Sequence, residues 1–352
     1  MKNLKTKILS FAINSVARSM IKLCILIFDI LTRWIPFNTI DILNLSDFPE
    51  QTKELNEIDE LNIISLNFNI KTIIKATFYA RRCKVIYVDN MNIVVATLNN
   101  LNCTVIQVWH ATSAVKKFGL PTVTDISEYN KRKDEFNNYD LVTANSKFMH
   151  EVFINSFGYT DDKIVDIGCL QSKQLFEANN IDFDGDYILY VPTFRWDFKY
   201  NQQSIDFIQN FKSDKYTLIY SLHPKVEATI SNSNTKRVDV TTIRDYFANA
   251  SLVISDYSSL LVDASLLCDK VVMYGYDYDH YNSTTGLNIT NDDFWGYYTE
   301  TEDDLNKYIY SNNFVTHDLE FIKNKFFTYD DINSTERIKQ LAIDIINKEN
   351  SL

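Results

Sequence analysis

The feature that most constrains the fold is a pair of successive series in which short apolar runs alternate with helical stretches. Several of these runs are rich in Val and Ile and apolar on both faces, which is typical of parallel strands covered by helices. Two such series predict two Rossmann-like α/β domains. The predicted strands are 62–68, 84–89, 104–109, 141–146 and 163–168 in the first series, and 187–192, 216–222, 252–255 and 270–275 in the second.

A polar stretch at 177–186 separates the two series and is the best candidate for a domain boundary. The chain has 352 residues, too many for one ordinary domain and suitable for two of about 150 each. We therefore expect an amino-terminal segment over 1–36, one domain over 37–180 and a second over 181–352. No GxGxxG follows the first strand, so the fingerprint of a dinucleotide site is absent.

Charge and cysteine content exclude several classes of function. A formal net charge of −11 disfavours general nucleic-acid binding, which requires many positive charges to neutralise phosphates. Five scattered cysteines without a CxxC pair argue against both a disulfide framework and a zinc site, and they favour a reducing cytoplasm. We expect neither a metal nor a cofactor, because the positive end of a helix dipole could take the place of a cation.

The first 36 residues read as a basic amphipathic helix. Lysines and arginines recur among apolar residues, the only acid is Asp29, and Trp34 lies near the end as an interfacial anchor would. Arg18 and Lys22 interrupt the apolar stretch, which disfavours both a signal peptide and a transmembrane helix. We expect this helix to lie on an anionic membrane surface, the alternative being a helix docked on the protein's own core.

Polar clusters follow several predicted strands directly, and the first is VWHATSAVKKFG. His110 follows strand 104–109 directly, and a histidine at a strand end can act as a general base. Thr112 and Ser113 could begin a helix whose backbone N–H groups face an anion, and Lys116 adds positive charge. Taken alone, the motif is equally compatible with a structural histidine.

Two more clusters follow strands of the second series. In LYVPTFRWD, Thr193 offers a hydroxyl and Arg195 a guanidinium suited to phosphate or carboxylate. In SLHPKVE, His223 follows a strand and Pro224 fixes the chain after it. The alternatives are a surface loop with an Arg195–Asp197 contact and a histidine in an ordinary turn.

The fourth cluster is LVISDYSSLLVDASLL, at a strand-to-helix junction. A helix beginning at Ser258 or Ser259, just after Asp256, would present free N–H groups and the positive end of its dipole. Asp263 would lie one turn along and could accept a hydrogen bond from a ribose or glycerol hydroxyl. A plain helix cap is the alternative. Together, the clusters predict a site for phosphoryl chemistry in the cleft between the domains.

The motifs WHA-x₄-KKFG, YVPTFR, LHP and SDYSS-x₃-DASLL, followed by YGYDYDHY, appear in this order between residues 85 and 288. This succession resembles the CDP-glycerol glycerophosphotransferases of Gram-positive wall teichoic acid synthesis. Within that family, the compact length and the sequence VWHATSAVKKFGLPT look most like the glycerol-phosphate primases.

The resemblance implies a GT-B-type fold, with two Rossmann-like domains facing across a cleft at the cytoplasmic face of the membrane. It implies CDP-glycerol as the donor substrate, bound by the second domain, and an undecaprenyl-diphosphate-linked N-acetylmannosaminyl-N-acetylglucosamine as the acceptor, bound by the first. It also implies that His110 and His223 are the histidines the reaction needs. A peripheral membrane protein is expected, with other teichoic acid enzymes as candidate partners.

The chain departs from the family pattern at two positions, since Gln171 and Thr285 stand where arginines are usual. The alternatives to a primase are therefore a transferase that builds poly(glycerol phosphate), ribitol phosphate or capsule polymers, and a GT-B glycosyltransferase that uses another nucleotide sugar. A catalytically silent membrane scaffold is a further alternative from a different class.

Overall fold

The computed structural model describes residues 2–67, 69, 71–178 and 181–350, with side chains described between residues 17 and 348. Two six-stranded sheets form its framework, and every strand pairing in them is parallel. The first sheet, in the order β2-β1-β3-β4-β5-β6, consists of β1 (Ile40–Ser46), β2 (Ile63–Asn67), β3 (Cys83–Val88), β4 (Thr104–Gln107), β5 (Leu141–Ala144) and β6 (Ile164–Asp166). The second, in the order β12-β11-β10-β7-β8-β9, consists of β7 (Tyr187–Val191), β8 (Thr217–Tyr220), β9 (Thr235–Arg237), β10 (Leu252–Ser255), β11 (Val271–Tyr274) and β12 (Tyr297–Thr299).

Helices connect and cover the strands. They are α1 (Lys2–Thr32), α2 (Ile73–Ala80), α3 (Ile126–Phe136), α4 (Lys147–Phe157), α5 (Leu170–Phe176), α6 (Phe198–Asn210), α7 (Ser259–Leu267), α8 (Tyr278–Thr284), α9 (Glu302–Ser311), α10 (Leu319–Phe326) and α11 (Ser334–Asn350). We call the first sheet with its helices the N-lobe and the second sheet with its helices the C-lobe. The predicted α/β fold with two Rossmann-like units is confirmed.

The buried strands explain why the sequence pattern was informative. All positions of β7 and β10 are buried, as expected for strands that have helices on both faces. β1 was missed because its run, IDILNLS, contains the polar residues Asn44 and Ser46, both of which are buried in the structure. Residues Ile243–Tyr246 form a short 3-10 helix.

Each sheet contains one point at which the direction of winding reverses. In the N-lobe the chain goes from β1 out to β2 and returns to β3 on the other side of β1. In the C-lobe it goes from β7 out through β8 and β9 and returns to β10 on the other side of β7. Connections leave such neighbouring strands in opposite directions, which opens a crevice at their carboxyl ends where ligands bind in this class of fold.

The last helix returns to the N-lobe. Ile338, Ala342 and Ile346 of α11 share a hydrophobic core with Val85 of β3, and the Tyr87 hydroxyl donates to the carbonyl of Ile338 at 2.9 Å. The expected bounds 37–180 and 181–352 stay a prediction, and they assign α11 to the domain on which it does not pack. The chain therefore connects the lobes twice, before β7 and before α11.

Helix α1 uses one face for docking and leaves the other exposed. Ile25 and Asp29 are buried against the N-lobe, where Arg81 donates to Asp29 through Nε at 2.9 Å. The opposite face and the turn after it carry exposed apolar side chains, namely Met20, Leu23, Ile27, Ile30, Leu31 and Trp34. Among the described helices, none combines the length and apolar character needed to cross a membrane.

Asp330 lies in the second connection between the lobes and binds it to Asn145 and Cys169. Its carboxylate accepts from the Cys169 backbone N–H at 2.9 Å and from the Asn145 side-chain amide at 2.7 Å. Gly168 has φ of +99°, and a side chain there would collide with Ser334. Burial raises the pKa of Asp330 to about 6 despite these hydrogen bonds.

We predict that this carboxyl group makes stability depend on pH. In the unfolded chain it titrates near pH 3.9, so between about 4 and 6 the folded state binds the extra proton. The stability it contributes is therefore complete below pH 4 and is lost as the pH rises through 6. Relative to Asp330→Asn, the wild-type free energy of unfolding should fall by about 2 kcal/mol between pH 4 and pH 7.

Urea denaturation at each pH measures this difference, and comparison with the variant cancels the contributions of other groups. Asp344→Asn, which changes an exposed carboxylate of α11, is the matched control and should run nearly parallel to wild type. A wild-type minus Asp330→Asn difference that stays constant from pH 4 to pH 7 would contradict the prediction.

Candidate active site

Two cavities adjoin each other between the lobes. The C-lobe cavity, of about 840 Å³, lies at the carboxyl ends of β7, β8 and β10, where the C-lobe winding reverses. The N-lobe cavity, of about 590 Å³, lies after β4 and reaches α1 and α3. Lys116, Ser259 and Thr285 line both cavities, so the two spaces meet at these residues.

A buried ion network forms one wall of the C-lobe cavity. Arg195 contacts Asp256 through Nη1 at 2.8 Å and Asp277 through Nε and Nη2, both at 2.9 Å. The three side chains are 3%, 2% and 0% exposed. Burial alone would lower the pKa of Arg195, but the carboxylates outweigh it and raise that pKa well above its usual range. The guanidinium is therefore held charged and in a fixed position.

These contacts bear on three predicted substrate-binding residues. Arg195 lines the cavity, but its guanidinium is engaged by two carboxylates. Asp256 also accepts from the Thr193 backbone N–H at 2.9 and 3.1 Å, so it holds the loop after β7. The Thr193 hydroxyl oxygen is buried in the cavity lining and has no hydrogen-bond partner among the described residues. Substrate contact stays a prediction for all three, and Thr193 has the available group.

Thr112 and Asp263 join the lobes. The Thr112 hydroxyl donates to one carboxylate oxygen of Asp263, and Arg244 donates to the other through Nη2 at 2.7 Å and Nε at 3.0 Å. Thr112 and Asp263 are buried and lie outside the lining of both cavities, whereas Arg244 lines the C-lobe cavity. Their binding of substrate stays a prediction, and their contacts give them a part in positioning the lobes.

The beginning of α7 faces the cavities as the sequence predicted. Ser258 caps the helix by accepting from the Leu260 N–H at 3.2 Å, and it lines the C-lobe cavity, while Ser259 lines both cavities. A helix start offers unsatisfied N–H groups and the positive end of the helix dipole to an anion. This arrangement suits a phosphate group at the place where the cavities meet.

Lys116 adds a cation at the same meeting point. It is held there because residues 115–117 pair with residues 286–288 across the lobes, with Lys117 N–H donating to the Gly286 carbonyl at 3.0 Å and Asn288 N–H to the Val115 carbonyl at 2.8 Å. Burial lowers the pKa of Lys116. An anion bound beside it would offset that burial.

His110 lines the N-lobe cavity in a defined tautomer. Its Nδ1 lies 2.8 Å from the backbone carbonyl of Asp89, and because a carbonyl only accepts, Nδ1 must carry the proton in the neutral ring. The ring packs against Phe48 and Trp109, with centroids 5.1 and 4.5 Å away. The neutral ring therefore keeps its lone pair on Nε2, as a general base requires.

His223 lines the C-lobe cavity with the opposite arrangement. Its Nδ1 accepts from the Lys225 backbone N–H at 3.1 Å, so in the neutral ring Nε2 carries the proton. Partial burial, followed by the charges of Lys225 and Lys116, lowers the pKa of His223. The ring is thus a neutral donor, and the two histidines lie in adjoining cavities with opposite tautomers.

Sequence reasoning missed several cavity residues. Ser113 was expected, and it lines the N-lobe cavity together with Trp109, which was not singled out. The C-lobe cavity gains residues that no strand-end signal marked, namely Tyr200, Arg244, His280, Tyr281 and Thr284. Thr285, one of the two departures from the family pattern, lies where the cavities meet, whereas Gln171 lies outside both linings and donates to Gln51 at 2.8 Å. Within the described ranges, no group of three or more His, Cys, Asp or Glu side chains is arranged to hold a metal ion.

Comparison with known sequences decides the family. The CDP-glycerol:poly(glycerophosphate) glycerophosphotransferase family matches residues 57–343. The chain belongs to this family.

Among curated members of the glycerophosphotransferase family, the teichoic acid glycerol-phosphate primases of Bacillus subtilis and Staphylococcus aureus are 31% and 28% identical over 238 and 257 residues. These matches cover 61% of this chain and 61% of the first relative, and 68% of this chain and 68% of the second. The teichoic acid poly(glycerol phosphate) polymerase of Staphylococcus epidermidis is 25% identical over 242 residues, covering 60% of this chain and 32% of that protein.

Solved structures agree with the fold. The wall teichoic acid polymerase TagF superposes with a TM-score of 0.70 at 16% identity, covering 99% of both chains. The UDP-GlcNAc 2-epimerase of Neisseria meningitidis bound to UDP-GlcNAc superposes with a TM-score of 0.53 at 11% identity, covering 87% of this chain and 100% of that one. At such identities the likeness concerns the fold alone, and it confirms the predicted GT-B-type architecture.

Proposed function

We propose that the protein transfers glycerol phosphate from CDP-glycerol to a hydroxyl of undecaprenyl-diphosphate-linked N-acetylmannosaminyl-N-acetylglucosamine and releases CMP. The observation that carries this proposal is the meeting of two cavities at the start of α7. One cavity lies at the C-lobe winding reversal, where nucleotides bind in this class of fold, and the other presents the free lone pair of His110.

The chemistry follows from the two tautomers. As the acceptor oxygen attacks the glycerol-bearing phosphorus, His110 Nε2 takes its proton, and the bond from that phosphorus to the bridging oxygen breaks so that CMP leaves. In the proposed reaction the Nε2–H of His223, the α7 amides and Lys116 stabilise the charge on the diphosphate and on CMP, and their residues line the C-lobe cavity. In this proposal the two kinds of N–H donor and the Lys116 cation stabilise the negative charge, and the reaction uses neither metal nor cofactor.

The priming reaction is favoured over polymerisation by the primase relatives, and the product tests it directly. After incubation with the disaccharide lipid and excess CDP-glycerol, we predict one added glycerol phosphate by mass spectrometry. A ladder of masses would instead indicate a polymerase. Product only with CDP-ribitol or with a nucleotide sugar would indicate the other transferase alternatives, and binding of CDP-glycerol without turnover would indicate a scaffold.

We predict that His110→Ala lowers turnover by about 10²- to 10⁴-fold, the usual contribution of a general base. Binding of CMP should persist, because His110 lines the other cavity, and a thermal shift with CMP measures it. His223→Ala should lower turnover and also weaken CDP-glycerol binding. His150→Ala is the control, since His150 contacts Asp161 and Asp166 outside both cavities. Near-normal turnover in both active-site variants would reject the assignment.

We also propose that the exposed apolar face of α1 lies on the cytoplasmic surface of the cell membrane as a peripheral anchor. Replacing Leu23 and Ile30 together by Gln should lower binding to anionic phosphatidylglycerol vesicles at least about tenfold, because two apolar side chains no longer enter the lipid. Co-sedimentation measures this, with Ile126→Gln and Ile332→Gln together as the matched control. The first pair is 57% and 62% exposed and the control pair 71% and 54%. Equal losses in the two double variants would count against a specific membrane face.

A further inference from the structure

The N-lobe cavity extends well beyond what a base and a hydroxyl need. From His110 and Trp109 it continues to Arg132 and Phe136 of α3 and to Arg18 of α1. Its apolar lining includes Met91, Phe118 and Phe157, and Phe118 stacks on Trp109 with centroids 4.6 Å apart. The lining therefore combines His110, the proposed general base, with two guanidinium groups from α1 and α3.

Polar groups without partners indicate that the inner part of this cavity is built to receive a ligand. The indole N–H of Trp109 and the hydroxyl of Ser113 make no hydrogen bond among the described residues, although these residues are only 7% and 2% exposed. An unpaired buried polar group costs about 1–3 kcal/mol. Trp109 also has φ of +57°, a strained conformation for a bulky residue that is typical of functional sites.

The guanidinium groups are held in place by carboxylates. Arg18 contacts Glu135 through Nη2 at 2.9 Å, and Lys22 contacts the other oxygen of the same carboxylate at 2.5 Å. Arg132 contacts Glu128 through Nε at 3.1 Å. A guanidinium has five N–H donors, so one such contact orients the group and leaves others that can bind an anion.

The end of the cavity at Arg18 lies on the helix that carries the exposed apolar face. One helix thus contributes both a cation to the cavity and, on its other side, a row of exposed apolar side chains. A molecule with a phosphate group and a long apolar chain matches both features, since the phosphate can bind the guanidinium groups while the chain continues along α1.

We infer that the N-lobe cavity binds the acceptor lengthwise, with its phosphate at Arg18 and Arg132, its uncharged polar head at Trp109 and Ser113, and its reacting hydroxyl at His110. This inference rests on the proposed function and adds the direction in which the acceptor enters. The apolar chain of the acceptor then stays on the membrane side of α1 while its head reaches the donor. Arg18 and Arg132 are binding residues for an isoprenoid phosphate in this arrangement.

Titration calorimetry with geranylgeranyl diphosphate tests the site without requiring turnover. Wild type should bind this lipid more tightly than geranylgeraniol or inorganic diphosphate, which separates an amphiphile site from a lipid surface or a phosphate site. Arg18→Gln and Arg132→Gln should each weaken binding about tenfold or more, as loss of charged hydrogen bonds predicts. The affinity for CMP should not change in either variant.

Two matched controls remove the same charge elsewhere. Arg33→Gln removes a cation just after α1. The Arg33 side chain is 47% exposed and contacts the buried Asp29. It therefore resembles Arg18, whose side chain is 48% exposed and contacts the buried Glu135. Lys131→Gln changes a cation of α3 that shares Glu128 with Arg132. Neither residue lines the N-lobe cavity, so both controls should bind the lipid within about twofold of wild type.

Three results would overturn the inference: no preference of wild type for the diphosphate lipid, equal weakening in the controls, or unchanged binding in both Arg18→Gln and Arg132→Gln. These outcomes are distinct from failure of the proposed function, which is an absence of glycerol phosphate transfer by wild type. An enzyme that transfers glycerol phosphate but binds the lipid independently of Arg18 and Arg132 would refute only the inference.

Discussion

The buried contact of Arg195 with Asp256 and Asp277 is the interaction on which the C-lobe cavity depends. The three residues follow three different strands, β7, β10 and β11, so one guanidinium fixes three strand ends relative to each other. Removing one partner of a buried ion pair leaves an uncompensated charge and typically costs about 3–5 kcal/mol. The loop bearing Thr193 is held by Asp256 of the same network, which accepts from the Thr193 backbone N–H.

Fixed loops matter because the two histidines present the same ring atom, Nε2, in opposite protonation states. The Asp89 carbonyl accepts from Nδ1 of His110, so the lone pair of the neutral ring is on Nε2. The Lys225 N–H donates to Nδ1 of His223, so the proton of that neutral ring is on Nε2. Both of these hydrogen-bonding groups belong to the main chain, so the tautomers depend on the backbone conformation of the loops. The lobes are in turn joined by Thr112 and Asp263 and by pairing of residues 115–117 with residues 286–288. The proposed general base His110, the α7 start and Lys116 are therefore positioned by contacts that cross between the lobes.

What the sequence could predict follows from the range over which its signals act. Apolar runs such as β7 and β10 were found because their periodicity is local, and the strand-end positions of His110 and His223 followed from the strands. The partners of Arg195 could not be found this way. Asp197 is the nearby acid in the sequence, but the carboxylates that bind Arg195 belong to Asp256 and Asp277, which lie 61 and 82 residues away. Arg18 was assigned to a membrane helix by its local pattern, and only the fold brings it to the cavity of His110.

Helix α1 has one docked face and one exposed face, and this arrangement bears on how an acidic protein could bind the proposed anionic membrane surface. With a net charge of −11 the chain as a whole is repelled, but charges beyond about 8 Å are screened at physiological ionic strength. Asp29 is the only acid up to residue 36, and it is buried against Arg81 and Arg33 at 2.9 and 2.6 Å. The α1 face therefore presents apolar and basic groups without a free carboxylate, and in the proposed membrane-bound arrangement it places Arg18 of the N-lobe cavity beside the lipid.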